Sequence, residues 1–111
     1  MDMHLKNWAF LSDESGCREL SPAYDLICSR LFIQDKDSAL ALNGKRSDLN
    51  RHDFEALAQT LKLDSRATQH SIARLLHLST TWELLSKRSH MTDSHKENMI
   101  ALIRERAARL T

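Results

Sequence analysis

The stretch LNRHDFEALAQTLKL, residues 49 to 63, decides the fold class of this chain. Its apolar residues recur at the three- and four-residue spacing that places side chains on one face of an α-helix. Asn50 precedes the pattern, where its side-chain oxygen can accept a hydrogen bond from the first helical turn. The stretch therefore predicts an amphipathic helix with Asn50 as its N-cap. The apolar face consists of Phe54, Leu57, Ala58 and Leu61.

Two further helices are predicted after this one. Asp64 or Ser65 can cap the second helix, and the third follows Thr92. The chain has only two glycines and one proline, so few positions interrupt helical hydrogen bonding. Residues 50–111 are therefore predicted to form a self-contained helical bundle. Its core is expected to contain Phe54, Leu57, Leu61, Ile72, Leu75, Trp82, Ile103 and Leu110.

The first half of the chain has more turn signals. The segments WAFLS (8–12) and CREL (17–20) flank the turn-forming DESG, which predicts a short β-hairpin. In SPAYDLICSRLF (21–32), Ser21 and Pro22 suit the N-cap and first position of a short helix. Asn43-Gly44 predicts a tight turn.

The amino-acid composition indicates a globular protein. At 111 residues with 41% hydrophobic and 28% charged residues, the chain is predicted to be one globular domain, 1–111. The net charge is +1, so we expect no direct binding to nucleic acid. No apolar run is long enough to span a membrane, and no signal peptide precedes the two cysteines. A cytoplasmic protein with two free thiols is the simplest interpretation.

Residues 1–25 have a pattern typical of a catalytic loop. Phosphoryl transfer to a hydroxyl needs a carboxylate that orients the hydroxyl, and oxygen ligands that hold Mg²⁺ on the phosphates. Asp2 and Asn7 have the spacing of the catalytic Asp and metal-binding Asn of protein kinases. Asp25 follows the predicted hairpin, where a second metal-binding Asp is expected. The alternatives are a mobile polar N-terminus and, for Asp25, a charge that complements a helix dipole.

The same residues carry a family resemblance. The segments DMHLKNWAFL, LSPAYDL and LALNGKRSDLNRHDFEALAQTL resemble the C-terminal lobe of HipA-like serine/threonine kinases, the toxins of bacterial toxin–antitoxin pairs. The resemblance implies that Asp2 is the catalytic residue and that Asn7 and Asp25 bind Mg²⁺. It places His4, Lys6 and Tyr24 beside the nucleotide, ATP. The alternatives are a solvated charge for Lys6 and a core aromatic for Tyr24.

The resemblance also implies a function and partners. The expected fold is mainly α, a small helical bundle preceded by a catalytic-loop-like segment and a short β-hairpin. The expected reaction transfers phosphate from Mg-ATP to a protein hydroxyl, by resemblance on an aminoacyl-tRNA synthetase. The expected partner is a DNA-binding antitoxin.

The sequence has no Gly-rich loop and no strand with an ATP-pairing lysine. We therefore expect a C-terminal piece that is inactive without a kinase N-terminal portion, supplied in cis or in trans. The alternative is a catalytically silent helical module that binds an antitoxin or a complementary kinase half.

Overall fold

The computed structural model of the chain describes residues 7–24, 26–33 and 37–111. A two-stranded antiparallel hairpin comes first, a 3-10 helix follows, and three α-helices complete the chain. The predicted fold class, mainly helical with a short hairpin, is confirmed. The elements are β1 (Phe10–Ser12), β2 (Arg18–Leu20), the 3-10 helix (Ser29–Leu31), α1 (Arg51–Thr60), α2 (Ser65–Arg88) and α3 (Asp93–Leu110).

Helices α2 and α3 form a helical hairpin that provides the main packing of the second half. The short connection 89–92 joins them, α1 packs on α2, and the 3-10 helix packs on α3. Arg104 on α3 donates two hydrogen bonds to the Glu83 carboxylate on α2, at 3.1 and 2.7 Å. Ser86, buried on α2, donates to the carbonyl of Trp82 at 2.8 Å, so its hydroxyl is satisfied within the helix.

The predicted helix starts are confirmed. The Asn50 side chain accepts from the Asp53 N–H, and Asp53 accepts in return from the Asn50 N–H, which makes a capping box. Asp64, one of the two candidates for α2, accepts from the Ala67 N–H at 2.8 Å. Thr92 caps α3. Each cap satisfies a backbone donor that the first helical turn leaves without a partner.

Asp53 connects the start of α1 to the turn before it. Its side chain is fully buried and accepts from Asn43 Nδ2 at 2.8 Å, from Lys45 Nζ at 3.1 Å and from the Asn50 N–H at 3.1 Å. Asn43 and Gly44 both have positive φ, and Leu42 pairs with Lys45, so the predicted Asn-Gly turn is confirmed. These hydrogen bonds, with Asn43 the largest contributor, lower the pKa of Asp53 to about 2.

A second carboxylate attaches the loop before α1 to the end of α3. Asp37 accepts from Arg106 and from Arg109, the latter at 2.8 Å, and from the Asp48 N–H at 2.7 Å. Burial raises the pKa of Asp37, but these hydrogen bonds outweigh the burial and lower the pKa to about 2. The contact joins residues about seventy positions apart in the chain, and no local sequence pattern predicts it.

The predicted helix over 21–32 is wrong for its described residues. Residues 21–24 and 26–28 have no helical structure, and only the 3-10 helix forms in this segment. The Ser21 N–H donates to the Ala9 carbonyl at 2.8 Å, which continues the pairing of the hairpin. Ile27, which an amphipathic helix here would bury, is 60% exposed. An amphipathic helix depends on such burial for most of its stability.

The predicted self-contained bundle core is also wrong in part. Ile72 is buried as expected, but Leu61, Leu75 and Trp82 are 58%, 45% and 37% exposed. Among the described residues, the buried hydrophobic residues are Ala39, Ala58 and Ile72. The helices have the predicted period and position, but their apolar faces are not fully covered. The spacing predicts which face is apolar and contains no information on what covers it.

Cys17 and Cys28 are free thiols. Of the helices in the described part of the chain, none combines the length and the apolar composition that crossing a membrane requires.

We predict that Asp53→Asn lowers the Tm by about 10 °C. The new amide places its NH₂ group among donors from Asn43 and Lys45, so a buried hydrogen bond is lost. Thermal unfolding monitored by far-UV circular dichroism measures the change. Because the pKa of Asp53 is lowered to about 2, its ionised form stabilises the wild type above pH 4, and this contribution is lost as the pH falls toward 2.

The matched control for this variant is Asp93→Asn. Asp93 also lies in the first turn of a helix, but its side chain is 95% exposed. Its replacement should shift the Tm by no more than about 2 °C. Equal shifts in the two variants would mean that Asp53 acts only through the helix dipole.

Helix α1 ends in a left-handed residue that gives a second prediction. Lys62 has φ of 54°, its N–H donates to the Gln59 carbonyl, and the Leu63 N–H donates to the Ala58 carbonyl. This is the Schellman arrangement, in which glycine is favoured at the left-handed position. Lys62→Gly should raise the stability by about 0.5 to 1 kcal/mol in urea unfolding. Gln69→Gly, inside α2, should lower it by about 1 kcal/mol; a loss in both variants would refute the strain at Lys62.

Candidate functional site

The structure describes two of the six predicted site residues. Asn7 and Tyr24 are within the described part of the chain. The other four, Asp2, His4, Lys6 and Asp25, lie outside the described residues.

Asn7 and Tyr24 line one small cavity, although they are 17 positions apart in the chain. The cavity has a volume of about 80 Å³. Asn7 is buried, with 6% of its surface exposed, whereas Tyr24 is 44% exposed. The other lining residues are Trp8, Leu20, Ser21, Pro22, Ala23 and Leu26.

The β-hairpin brings these two segments together. Residue pairs Phe10 and Leu20, Leu11 and Glu19, and Ser12 and Arg18 are opposite each other in the two strands. The bond from the Ser21 N–H to the Ala9 carbonyl, 2.8 Å long, continues the pairing toward the cavity. The segment that contains Asn7 therefore enters the hairpin beside the segment that leaves it toward Tyr24.

A polar turn closes the other end of the hairpin. The Asp13 carboxylate accepts from the Ser15 hydroxyl at 2.6 Å and from the Cys17 N–H at 2.9 Å. The Ser15 bond is the main cause that lowers the pKa of Asp13. Gly16 has φ of 80°, a conformation that glycine adopts without steric cost. This turn holds the two strands in register and so fixes the segments on either side of the cavity.

The cavity walls are mostly apolar, and they were missed by the sequence analysis. Trp8 and Leu20 are about half exposed, at 49% and 51%, and Leu26 is 61% exposed. A tryptophan directly after Asn7 is the one sequence signal that could have indicated this wall. Sites for drug-sized ligands usually have volumes of about 300 to 1,000 Å³. The cavity that the described residues line is therefore smaller than a site for a whole ligand of that size.

Comparison with known proteins places the chain in a family. The HipA-like C-terminal domain family matches residues 1–82, which include the hairpin, the cavity and most of α2. The chain belongs to this family. Helix α3 lies beyond the matched residues. A protein of Sinorhizobium fredii with the name Putative kinase Y4dM is 31% identical over 98 residues. The match covers 88% of this chain and 22% of that protein, so the chain spans about a fifth of its relative's length.

Family membership confirms the resemblance that the sequence motifs indicated, and it supports a kinase-related role for the chain. The matched residues contain all six predicted site positions. The roles of the six positions stay predictions.

Proposed function

We propose that this chain is the C-terminal part of a HipA-like serine/threonine kinase. In this proposal it transfers phosphate from Mg-ATP to a protein hydroxyl, together with a kinase N-terminal portion supplied in cis or in trans. The observation that carries the proposal is the position of Asn7. It is buried in a family-matched segment, and the hairpin places it beside residue 24, which directly precedes Asp25.

Asp2 acts in this proposal on the substrate hydroxyl. Its carboxylate would orient the hydroxyl and accept its proton as the oxygen bonds to the γ-phosphorus of ATP, while the bond from that phosphorus to ADP breaks and ADP leaves. Asp2 lies five residues before Asn7, so both belong to one short segment that leads into β1. In this proposal Asp2 accepts the proton, and Asn7 and Asp25 bind the metal.

Asn7 and Asp25 have the ligand chemistry that Mg²⁺ requires. An amide oxygen and a carboxylate oxygen are hard donors, and Mg²⁺ is held through such oxygens and the substrate phosphates. Asn7 and Tyr24 line the same cavity, and Asp25 directly follows Tyr24. This supports the proposal that Asn7 and Asp25 bind one metal ion together. The metal, when bound, would neutralise charge on the phosphates.

His4, Lys6 and Tyr24 are proposed to lie beside the nucleotide. The half-exposed side chain of Tyr24 borders the cavity, which supports its proposed position beside the nucleotide. The cavity wall around it is apolar, with Trp8 and Leu26 as its larger side chains. Such a wall suits the apolar body of a ligand whose charged groups lie near the polar side chains.

The partners proposed for the kinase rest on the family resemblance. They are an aminoacyl-tRNA synthetase as the protein substrate and a DNA-binding antitoxin as the regulator. A cytoplasmic location follows from the same proposal, since both partners act in that compartment.

A second candidate function has one observation in its favour. Large apolar side chains are exposed on the hairpin and on α2, among them Phe10 at 72% and Leu85 at 58%. Exposed apolar surface of this kind marks an interface with another protein or another part of a larger one. A catalytically silent helical module that binds an antitoxin or a complementary kinase half would use the same surfaces.

We predict that Asp25→Ala abolishes phosphoryl transfer when the chain is reconstituted with the kinase N-terminal portion. Loss of a metal ligand removes the positioning on which this chemistry depends, so the rate should fall by about 1,000-fold or more. Transfer of labelled phosphate to a protein substrate measures the rate, and circular dichroism checks that the helices are retained.

Asp93→Ala is the matched control. It removes a carboxylate from an exposed side chain at the start of α3 and should keep the wild-type rate. Near wild-type transfer by Asp25→Ala would remove Asp25 from the metal site. No transfer by the reconstituted wild type would favour the silent interaction module.

A further inference from the structure

Helix α2 has an outer stripe, a row of exposed side chains along one face. Its residues follow one another at intervals of four or three positions, so they lie within about 80° of one another around the helix axis. All of them are exposed to solvent in this chain. The outer stripe consists of Arg66, His70, Arg74, His77, Thr81, Leu84 and Arg88.

The outer stripe lies on the side of α2 that faces away from the other helices. The packed side contains the buried residues Ile72 and Ser86 and the α2 residues that line an apolar groove against α3. Those groove residues are Leu75, Leu76, Ser79 and Trp82. At about 100° per residue, the outer stripe is centred about 180° around the helix from the packed side. No element in the described part of the chain covers it, because its side chains are all exposed.

The outer stripe has positive charges and no negative ones. Arg66, Arg74 and Arg88 form no ion pair with any residue in the described part of the chain. Glu83 is the one acidic residue within α2, and it lies on the packed side, where its carboxylate accepts from Arg104. The guanidinium groups of the outer stripe are therefore available to a carboxylate from another molecule.

The spacing of the outer stripe suits contact with a second helix. From His70 to Arg88 the intervals are four, three, four, three and four residues, which is the alternation of a coiled-coil seam. The 22 positions from Arg66 to Arg88 correspond to about 33 Å along the helix axis. Leu84, which is 54% exposed, adds an apolar contact to this polar seam. A helix lying along α2 would meet a side chain of the outer stripe at each turn.

We propose that the outer stripe binds an acidic helix of a partner protein. Carboxylates of the partner would accept hydrogen bonds from Arg66, Arg74 and Arg88, and an apolar side chain would cover Leu84. Arginine suits this contact because its planar guanidinium can donate two parallel hydrogen bonds to one carboxylate. Charge complementarity of this kind selects the partner and its orientation. The inference does not depend on the proposed phosphoryl transfer, because either candidate function leaves this face of α2 open.

The same observations favour an acidic protein over a nucleic acid. A protein that binds DNA through about six to ten phosphate contacts depends on a similar number of positive groups. The outer stripe has three arginines spread over six turns, and the net charge of the chain is +1. A phosphate backbone also offers no apolar group to cover Leu84.

The charges argue against a second copy of this chain as the partner. In a symmetric dimer the same surface faces itself. The arginines of one outer stripe would then approach those of the other, and like charges repel across an interface.

Peptide binding to the 111-residue chain tests the proposal. The probe is a fluorescein-labelled helical peptide of about 25 residues, with one leucine and with glutamates at alternating intervals of four and three along one face. A matched peptide has glutamine in place of each glutamate. A labelled DNA duplex of about 20 base pairs is the nucleic-acid probe. Fluorescence anisotropy measures the affinity of each probe.

Four variants locate the binding surface. Arg66→Glu and Arg74→Glu each reverse one charge of the outer stripe, and Arg66 lies in the first turn of α2, where a glutamate also favours the helix. Arg18→Glu makes the same change of charge on the hairpin. Leu75→Gln changes the groove on the packed side and leaves the outer stripe intact. Circular dichroism checks that each variant keeps its helices.

The glutamate peptide should bind the wild type at least about tenfold more tightly than the glutamine peptide. Arg66→Glu and Arg74→Glu should each weaken its binding about fivefold or more, because an attraction is replaced by a repulsion. Arg18→Glu and Leu75→Gln should change the affinity less than about twofold. Added salt should weaken the binding, since exposed charges are screened.

Several outcomes would overturn the proposal. Equal affinity for the two peptides, or no binding at millimolar peptide, would remove the acidic helix as the partner. Equal losses in Leu75→Gln and Arg74→Glu would place the peptide in the groove. Tighter binding of the duplex than of the glutamate peptide, lost in Arg74→Glu, would assign the outer stripe to nucleic acid. A dimer in sedimentation equilibrium that Arg74→Glu disrupts would assign it to a second copy.

Discussion

The buried carboxylate of Asp53 is the interaction on which the second half of the structure depends. It accepts from the turn residue Asn43, from Lys45 and from the backbone of Asn50. One ionised group thus fixes the left-handed turn, the cap of α1 and the direction in which the chain enters the helices. A buried charge is tolerated only when hydrogen bonds surround it, and the donors here come from three separate positions. Asp37 has the equivalent role at the other end, where it attaches the preceding loop to α3.

Polar contacts have this importance because little apolar surface is buried. The buried hydrophobic residues in the described part of the chain are Ala39, Ala58 and Ile72, while Trp82 and many leucines are exposed. Exposed apolar side chains are found on the hairpin, on the segment after it and on α2. The chain spans 22% of its kinase relative, and surfaces of this kind suit contact with further protein.

The sequence predicted the features that depend on neighbouring residues. The caps at Asn50 and Thr92, the Asn43-Gly44 turn and the hairpin are set by contacts within a few positions, and each was confirmed. The helix over 21–32 was wrong for its described residues, because Ser21 continues the hairpin and Ile27 is exposed rather than buried. The predicted bundle core was wrong at Leu75 and Trp82, because these side chains are exposed.

Sequence patterns did not predict the contacts between residues that are far apart in the chain. Nothing near Asp37 indicates that Arg106 and Arg109 will bind it. At the candidate site, the motif spacing predicted Asn7 and the family resemblance predicted Tyr24. Both line one cavity, and their roles stay predictions. The apolar wall with Trp8 and Leu20 was not predicted, because it arises only when the hairpin brings its two ends together.

The metal site is the centre of the proposed function, and paramagnetic relaxation tests it most directly. Mn²⁺ can replace Mg²⁺ at oxygen ligands and broadens the NMR signals of nearby nuclei. In the chain reconstituted with the kinase N-terminal portion and an ATP analogue, the account predicts the strongest broadening at Asn7 and Tyr24. Amides of α3 should be little affected. Broadening centred instead on the polar cleft between α1 and α2, at Glu55, Gln59 and Gln69, would contradict the account.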